Sequence, residues 1–164
     1  MADDPTFFDD IEAYCTSLSY RPGDEVELCV STRASSYSIV IERWGAARVE
    51  VWRSDAPIAG THHAVPDDAD SSGCNWPVAL RVPVGDDWRS GFYLVTLTAT
   101  RADAGRDTAH TGFVVRPIAS TASALLVLGT NTWNAYNNWG GCSLYTGGKE
   151  VSFRRPFARG MLCR

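Results

Sequence analysis

The sequence of 164 residues predicts a mainly β protein: an antiparallel β-sandwich that gives way near its end to the first strand and loop of an incomplete α/β domain. Three observations carry that expectation. From Ile11 to about Pro117, short alternating apolar runs and turn signals succeed one another at the spacing of an all-β sandwich. Ala124 to Leu128 (ALLVL) is instead an unbroken apolar run, the pattern of a strand covered on both faces. Soon after it, Asn131 to Tyr145 (NTWNAYNNWGGCSLY) gathers two Trp, two Tyr and four Asn without a single charge.

Each element follows from local chemistry. Ile11 to Thr16 is the first strand. Arg21-Pro22-Gly23-Asp24 is a turn, in which Pro presets φ and Gly supplies the positive φ of a type II geometry. Glu25 to Ser31 (EVELCVS) alternates, with Val26, Leu28 and Val30 on one side and Glu25, Glu27 and Ser31 on the other, so one face is buried and one wet. Tyr37 to Arg43 repeats the device with Tyr37, Ile39 and Ile41, and after Trp44-Gly45 the run Arg48 to Arg53 adds Val49 and Val51. Asp55 to Pro77 is a long irregular connection rich in Pro, Gly, Asp and Ser. Val78 to Val84 resumes a strand. The turn Trp88-Arg89-Ser90-Gly91 leads into Phe92 to Thr100, Arg101 to Arg106 forms a polar turn, and Thr108 to Arg116 closes the set with Phe113, Val114 and Val115. Residues 8–117 therefore suit an Ig-like sandwich, although the Cys-Trp-Cys core spacing of antibody domains is missing. Residues 118–123 form a short linker. Residues 124–164 open a second, α/β unit: a buried strand, the aromatic loop, Gly147-Gly148-Lys149 and a short β-like run from Glu150 to Phe153. About forty residues cannot cover both faces of that strand unaided, so the expectation is a chain that is truncated or completed by another polypeptide.

Composition narrows the function. With 45% hydrophobic and 21% charged residues the chain can bury a core. A net charge of -4 and a pI near 5.3, with no basic stripe, exclude nucleic acid and anionic membrane as natural partners. MADDPTFFDD lacks the n- and h-regions of a secretory signal, and the longest apolar run is far short of a membrane span. A soluble, cytoplasmic protein is expected. Five Cys (15, 29, 74, 142 and 163), widely spaced and without CxxC, argue against a disulfide framework or zinc knuckle and read as small buried thiols, Cys142 being the exception to watch.

Most local motifs dissolve on inspection. Asp68-x-Asp70-x-Ser72-Gly73 opens like a calcium loop, but Ala79 stands where the bidentate Glu belongs. His62 and His63 point opposite ways if extended, and His110 is alone on a strand. Gly147-Gly148-Lys149 lacks the remainder of a phosphate loop, no Ser occupies a G-x-S-x-G elbow, and no nucleophilic triad is assembled. The aromatic stretch keeps two readings. In one, Trp133 and Trp139 plug a gap between two units while the Asn side chains satisfy turn backbone. In the other, Tyr136 and Tyr145 offer phenolate oxygen to a hard ferric ion, or a hydroxyl to a polarised carbonyl, if neighbouring charge lowers their pKa from about 10. Asn131, Trp133, Asn137 and Trp139 would then line the substrate site with carboxamides and flat apolar surface.

LLVLGTNTWNAYNNWGGCSLY followed by VSFRRP resembles the start of the C-terminal domain of the large (beta) subunit of N,N-dimethylformamidase and its relatives. RPGDEVELCVST, GCNWP, WRSGFYLV and FVVRP are similar to the sandwich domain those proteins place directly before it, so the resemblance covers nearly the whole chain from Ile11. It implies a hydrolase of formamide-type C–N bonds that uses a mononuclear Fe(III) held by two Tyr and one Glu, with the metal as Lewis acid and activator of water. Under this resemblance Tyr136 of the AYN motif is the first candidate ligand and Tyr145 the second. A further Tyr and the Glu are expected beyond residue 164. Arg154 stands where relatives often carry Asp, and Phe157 where a Tyr would be a ligand. The implied partners are a small amide substrate and a small companion subunit or a second copy of the chain, and the chain alone is expected to be inactive. The rival is a non-catalytic module that binds carbohydrate or a partner protein through Trp76 and Trp88.

Overall fold

Period-two alternation builds most of the molecule. The structure, a computed structural model, describes residues 10–100, 105–119 and 122–163. Among these the elements are β1 (Ile11–Cys15), β2 (Ser19–Tyr20), β3 (Glu25–Thr32), β4 (Ser36–Trp44), β5 (Arg48–Arg53), β6 (Ile58–Ala59), β7 (Val78–Pro83), β8 (Gly91–Thr100), β9 (Arg106–Val115) and α1 (Thr130–Tyr136). One sheet runs β1-β3-β7; the other runs β2-β9-β8-β4-β5, with β6 pairing the start of β4. The pairs are antiparallel except β2 with β9, which is parallel. The turn at Arg21 closes as its sequence predicts: the Asp24 amide donates to the Arg21 carbonyl and Gly23 adopts φ +88°. The expected polar turn at 101–106 and the linker at 118–123 fall partly outside the described residues.

The two sheets close on one apolar core. Ile11, Val26, Leu28, Val30, Ile39, Ile41, Val82, Val95 and Leu97 are all buried in it. At its end Trp88, Tyr93 and Phe113 stack nearly parallel, with centroids 5.1 Å and 5.5 Å apart. Each such side chain contributes about 1.5–3 kcal/mol of transfer free energy.

Four expectations need correction. Alternation predicts a wet outer face on the first strands, yet Tyr14 and Cys29, which face away from the main core, are buried in a second cluster with Ala69, Cys74, Trp76 and Trp139. The cover comes from residues remote in sequence, which periodicity cannot register. Ala124 to Leu128 forms no strand: Leu125, Leu126 and Val127 are 86%, 75% and 78% exposed. Apolar content encodes a preference for burial but supplies no ladder partner, and the described strands are already paired with one another. Glu150 to Phe153 is likewise irregular, and Asn131 to Tyr145 is not loop throughout but opens as the short helix α1. That helix has no charged residue in its end turns and no side-chain N-cap, so the usual start and stop signals are missing.

Candidate functional site

The segment after α1 is fastened to the outer face of the small sheet. Trp139, 1% exposed, meets Trp76 edge to face at 6.0 Å, and Trp76 is itself fixed by its amide to the Tyr14 hydroxyl and its indole N–H to the Ala64 carbonyl. Two backbone bonds join the segment to the long connection: the Ser152 amide donates to Asp70 and the Cys74 amide to Arg154. Gly73 makes the approach feasible. It holds φ +83°, and a Cβ there would lie 2.8 Å from the Ser152 hydroxyl and 2.9 Å from the Arg154 carbonyl. The calcium-like stretch is therefore a docking turn, in which the Asp68 carbonyl accepts from the Ser71 and Ser72 amides and the Asp70 carboxylate accepts from the Cys142 thiol.

Arg155 organises the rest. It is 1% exposed, and its guanidinium donates to the carbonyls of Ser152, Trp139, Cys142, Asn137 and, at 3.5 Å, Asn134. A guanidinium carries five N–H donors in a planar fork, and five carbonyls receive them. Two of these, Asn134 and Asn137, lie at the C-terminal end of α1, where orphan carbonyls and the helix dipole both favour a cation. Burial pulls the Arg155 pKa down, and the Asp70 carboxylate nearby opposes the pull. Sequence reading passes over this residue, because a cation held by backbone carbonyls leaves no acidic partner to find. The available signal is slight: an Arg pair, Arg154-Arg155, that follows Lys149 and Glu150 soon after a long uncharged, Asn- and Gly-rich stretch.

The expected site residues divide into two groups. Asn137 and Trp139 face inward: the Asn137 amide donates to the Pro156 carbonyl at 2.8 Å, and its oxygen accepts from the amides of Trp139 and Ala158. The Trp139 indole N–H has no acceptor among the described residues. Trp133 is half-buried against Phe92 of the large sheet, edge to face at 5.8 Å, and Asn131 is exposed on the first turn of α1. Tyr136 and Tyr145 come together on the surface. Their rings stack with centroids 4.1 Å apart and planes 12° apart, at 54% and 66% exposure. The Leu144 amide, bonded to the Ala135 carbonyl at 3.1 Å, folds the turn at 143–146 back onto α1 and creates the pair. The neighbouring Tyr145 hydroxyl raises the Tyr136 pKa above the ordinary phenol value.

Other candidates are accounted for by packing. Trp76 and Trp88, which a carbohydrate surface would need exposed, are buried. Burial pushes the Cys15 and Cys74 thiols up to about 12, and the Asp70 carboxylate raises that of Cys142. None of the five cysteines is joined in a disulfide. Burial lowers the pKa of His110, with Arg48 adding to the effect. A cavity of about 30 Å³, room for one water, lies where β1 and β9 meet residues 157–163, and Tyr136 and Tyr145 do not line it.

With this geometry in place, comparison with known proteins is informative. The family profile described as "N,N-dimethylformamidase beta subunit-like, C-terminal" matches residues 38–162. The chain belongs to that family. The dimethylformamidase-like match begins in β4 and runs through α1, the stacked tyrosines and Arg155. A solved structure of murine CRIg is similar over 65% of this chain and 97% of its own, with a TM-score of 0.41 and 11% identity. No curated protein matches the chain. Among the described residues no helix is long and apolar enough to cross a membrane, and no group of three or more His, Cys, Asp or Glu could hold a metal ion.

Proposed function

We propose that this dimethylformamidase-like chain is part of an amidohydrolase of the cytoplasm, with Tyr136 and Tyr145 contributing two phenolate oxygens to a mononuclear ferric centre. The observation that carries the reading is the pairing itself. Two exposed phenols whose rings stack with centroids 4.1 Å apart are near enough to serve as neighbouring ligands of one hard cation. The donor set fits in part: a carboxylate third ligand has to come from outside the described site, supplied by a companion subunit or a second copy. The chemistry such an ion supplies is Lewis-acid polarisation of an amide carbonyl and acidification of water. The uncharged surroundings suit a small neutral amide, with Asn131 and Trp133 as the exposed and half-exposed members of the substrate set. Arg155 acts through α1 and the loop after it, as the residue that positions both phenols.

Iron titration tests this reading. Ferric ion added to the chain is expected to give a tyrosinate charge-transfer band at one ion per chain, lost in Tyr136→Phe and weakened in Tyr145→Phe. Because both phenols must lose their protons and Tyr136 holds its proton above the ordinary range, uptake is expected to strengthen as pH rises. A band that survives Tyr136→Phe contradicts the assignment.

A further inference from the structure

The six tyrosines of the chain divide sharply. Tyr14, Tyr20, Tyr37 and Tyr93 are buried at 6% exposure or less, whereas Tyr136 and Tyr145 are the two open to solvent. Those two are also the two that touch through their rings, parallel and 4.1 Å apart. Their alignment is built in. The Leu144 amide bonds to Ala135 beside Tyr136, the Thr146 amide bonds to the Ser143 carbonyl, and the Tyr145 amide bonds to the Ser143 hydroxyl. Ser143 itself is 2% exposed and cross-bonded to the Thr146 hydroxyl at 3.1 Å, so the turn carrying Tyr145 has a fixed seat against the end of α1.

We infer that Tyr136 and Tyr145 form an oxidative cross-linking site, which a one-electron oxidant of the haem peroxidase class, supplied with hydrogen peroxide, converts to an intramolecular dityrosine. Each phenol gives one electron to the oxidant and its hydroxyl proton to water, leaving two phenoxyl radicals face to face. The radicals couple through ring carbons ortho to oxygen and form one C–C bond. The hydrogen on each of those carbons then moves to the neighbouring oxygen by way of water, and both rings regain aromaticity. One peroxide is reduced to two waters for each cross-link, and the protein loses two hydrogen atoms. Exposure leaves the rings room to turn about the new bond. Burial keeps the other four tyrosines from the oxidant, so one product is favoured. The inference uses the side chains of the proposed metal site but does not depend on iron.

The test treats the metal-free chain with a haem peroxidase and peroxide. The expected result is blue dityrosine emission from a monomer lighter by two hydrogens. In the tryptic peptide from Asp107 to Lys149, which holds both residues and no other Tyr, the two halves are expected to stay joined after chymotryptic cleavage at Trp139. Tyr136→Phe and Tyr145→Phe should each abolish the product, Tyr37→Phe should leave it, and unfolding in urea should sharply reduce it. Emission that persists in either of the first two variants, or covalent dimers in place of the internal link, overturns the assignment. Because the reaction needs no metal, its failure leaves the ferric reading standing, and a missing charge-transfer band leaves the cross-link standing.

Discussion

The sandwich and the segment from Thr130 onward are stabilised by different physics. The sandwich is a ladder of alternating strands whose apolar sides fill one core, so its cohesion is spread over some twenty buried side chains. The later segment has one short helix and no strand, and it is held at a few points: the Trp139 plug, the Arg155 fork and two backbone bonds to residues 70–74. Distributed packing tolerates single losses gradually and unfolds as a whole. Point attachment concentrates the consequence of a substitution in one residue and permits local release while the sandwich stays folded.

Substitutions can separate the two regimes. The largest effect is expected in the sandwich: Phe113→Ala removes a ring stacked on both Tyr93 and Trp88 and should cost about 4 kcal/mol in chemical denaturation, seen by every probe at once. Arg155→Lys keeps the charge but loses the planar fork, and should cost about 3 kcal/mol. Its signature is local: proteolysis within 137–158 accelerates while the far-UV circular dichroism of the sandwich is kept. Gly73→Ala forces a Cβ against Ser152 and Arg154 at positive φ and should cost about 2 kcal/mol, again releasing the later segment first.

Smaller effects sharpen the same contrast. Cys15 lies in the main core and Cys74 in the second, and burial pushes both up to about 12 from the ordinary 9.0. In the unfolded chain these thiols ionise first. Their contribution is therefore complete below pH 9 and declines as pH rises toward 12, at no more than about 1.4 kcal/mol per pH unit for each thiol. Replacing Cys74 by Ala should shallow the alkaline slope for the later segment, and replacing Cys15 by Ala that for the sandwich. Smallest of all, Trp139→Phe discards an indole N–H that has no acceptor among the described residues and should change stability by less than about 1 kcal/mol.

The same contrast explains what could be read from the sequence. Strand β4 was legible because alternation and burial coincide along it, β3, β8 and β9 because their β-branched and aromatic runs fall between turn signals, and the Arg21 turn because Gly23 has to take a positive φ. Two-residue strands such as β2 and β6 are too short to show a period. Ala124 to Leu128 reads as a strand because apolar residues report the wish to be buried, and pairing depends on a neighbour that the run itself does not specify. At the site, the residue types were legible and their arrangement was not. Tyr136 and Tyr145 are nine positions apart, a separation that belongs to neither helical nor strand periodicity, and they meet because the Leu144 amide reaches back to Ala135. Asn137 and Trp139 look like ligand-facing groups in an uncharged stretch, but folded they satisfy backbone and fill the second core.

That the segment after α1 is seated on the sandwich by Trp139 and Arg155 underlies both the metal reading and the cross-link. Amide hydrogen exchange of the wild-type chain and of Arg155→Lys measures it directly. The amides of Trp139, Ser152 and Ala158, bonded to Asn137, Asp70 and Asn137 respectively, should be protected in the wild type and lose protection in the variant, with β8 and β9 unchanged. Exchange of those three amides at the rate of an unstructured peptide in the wild type would contradict the account.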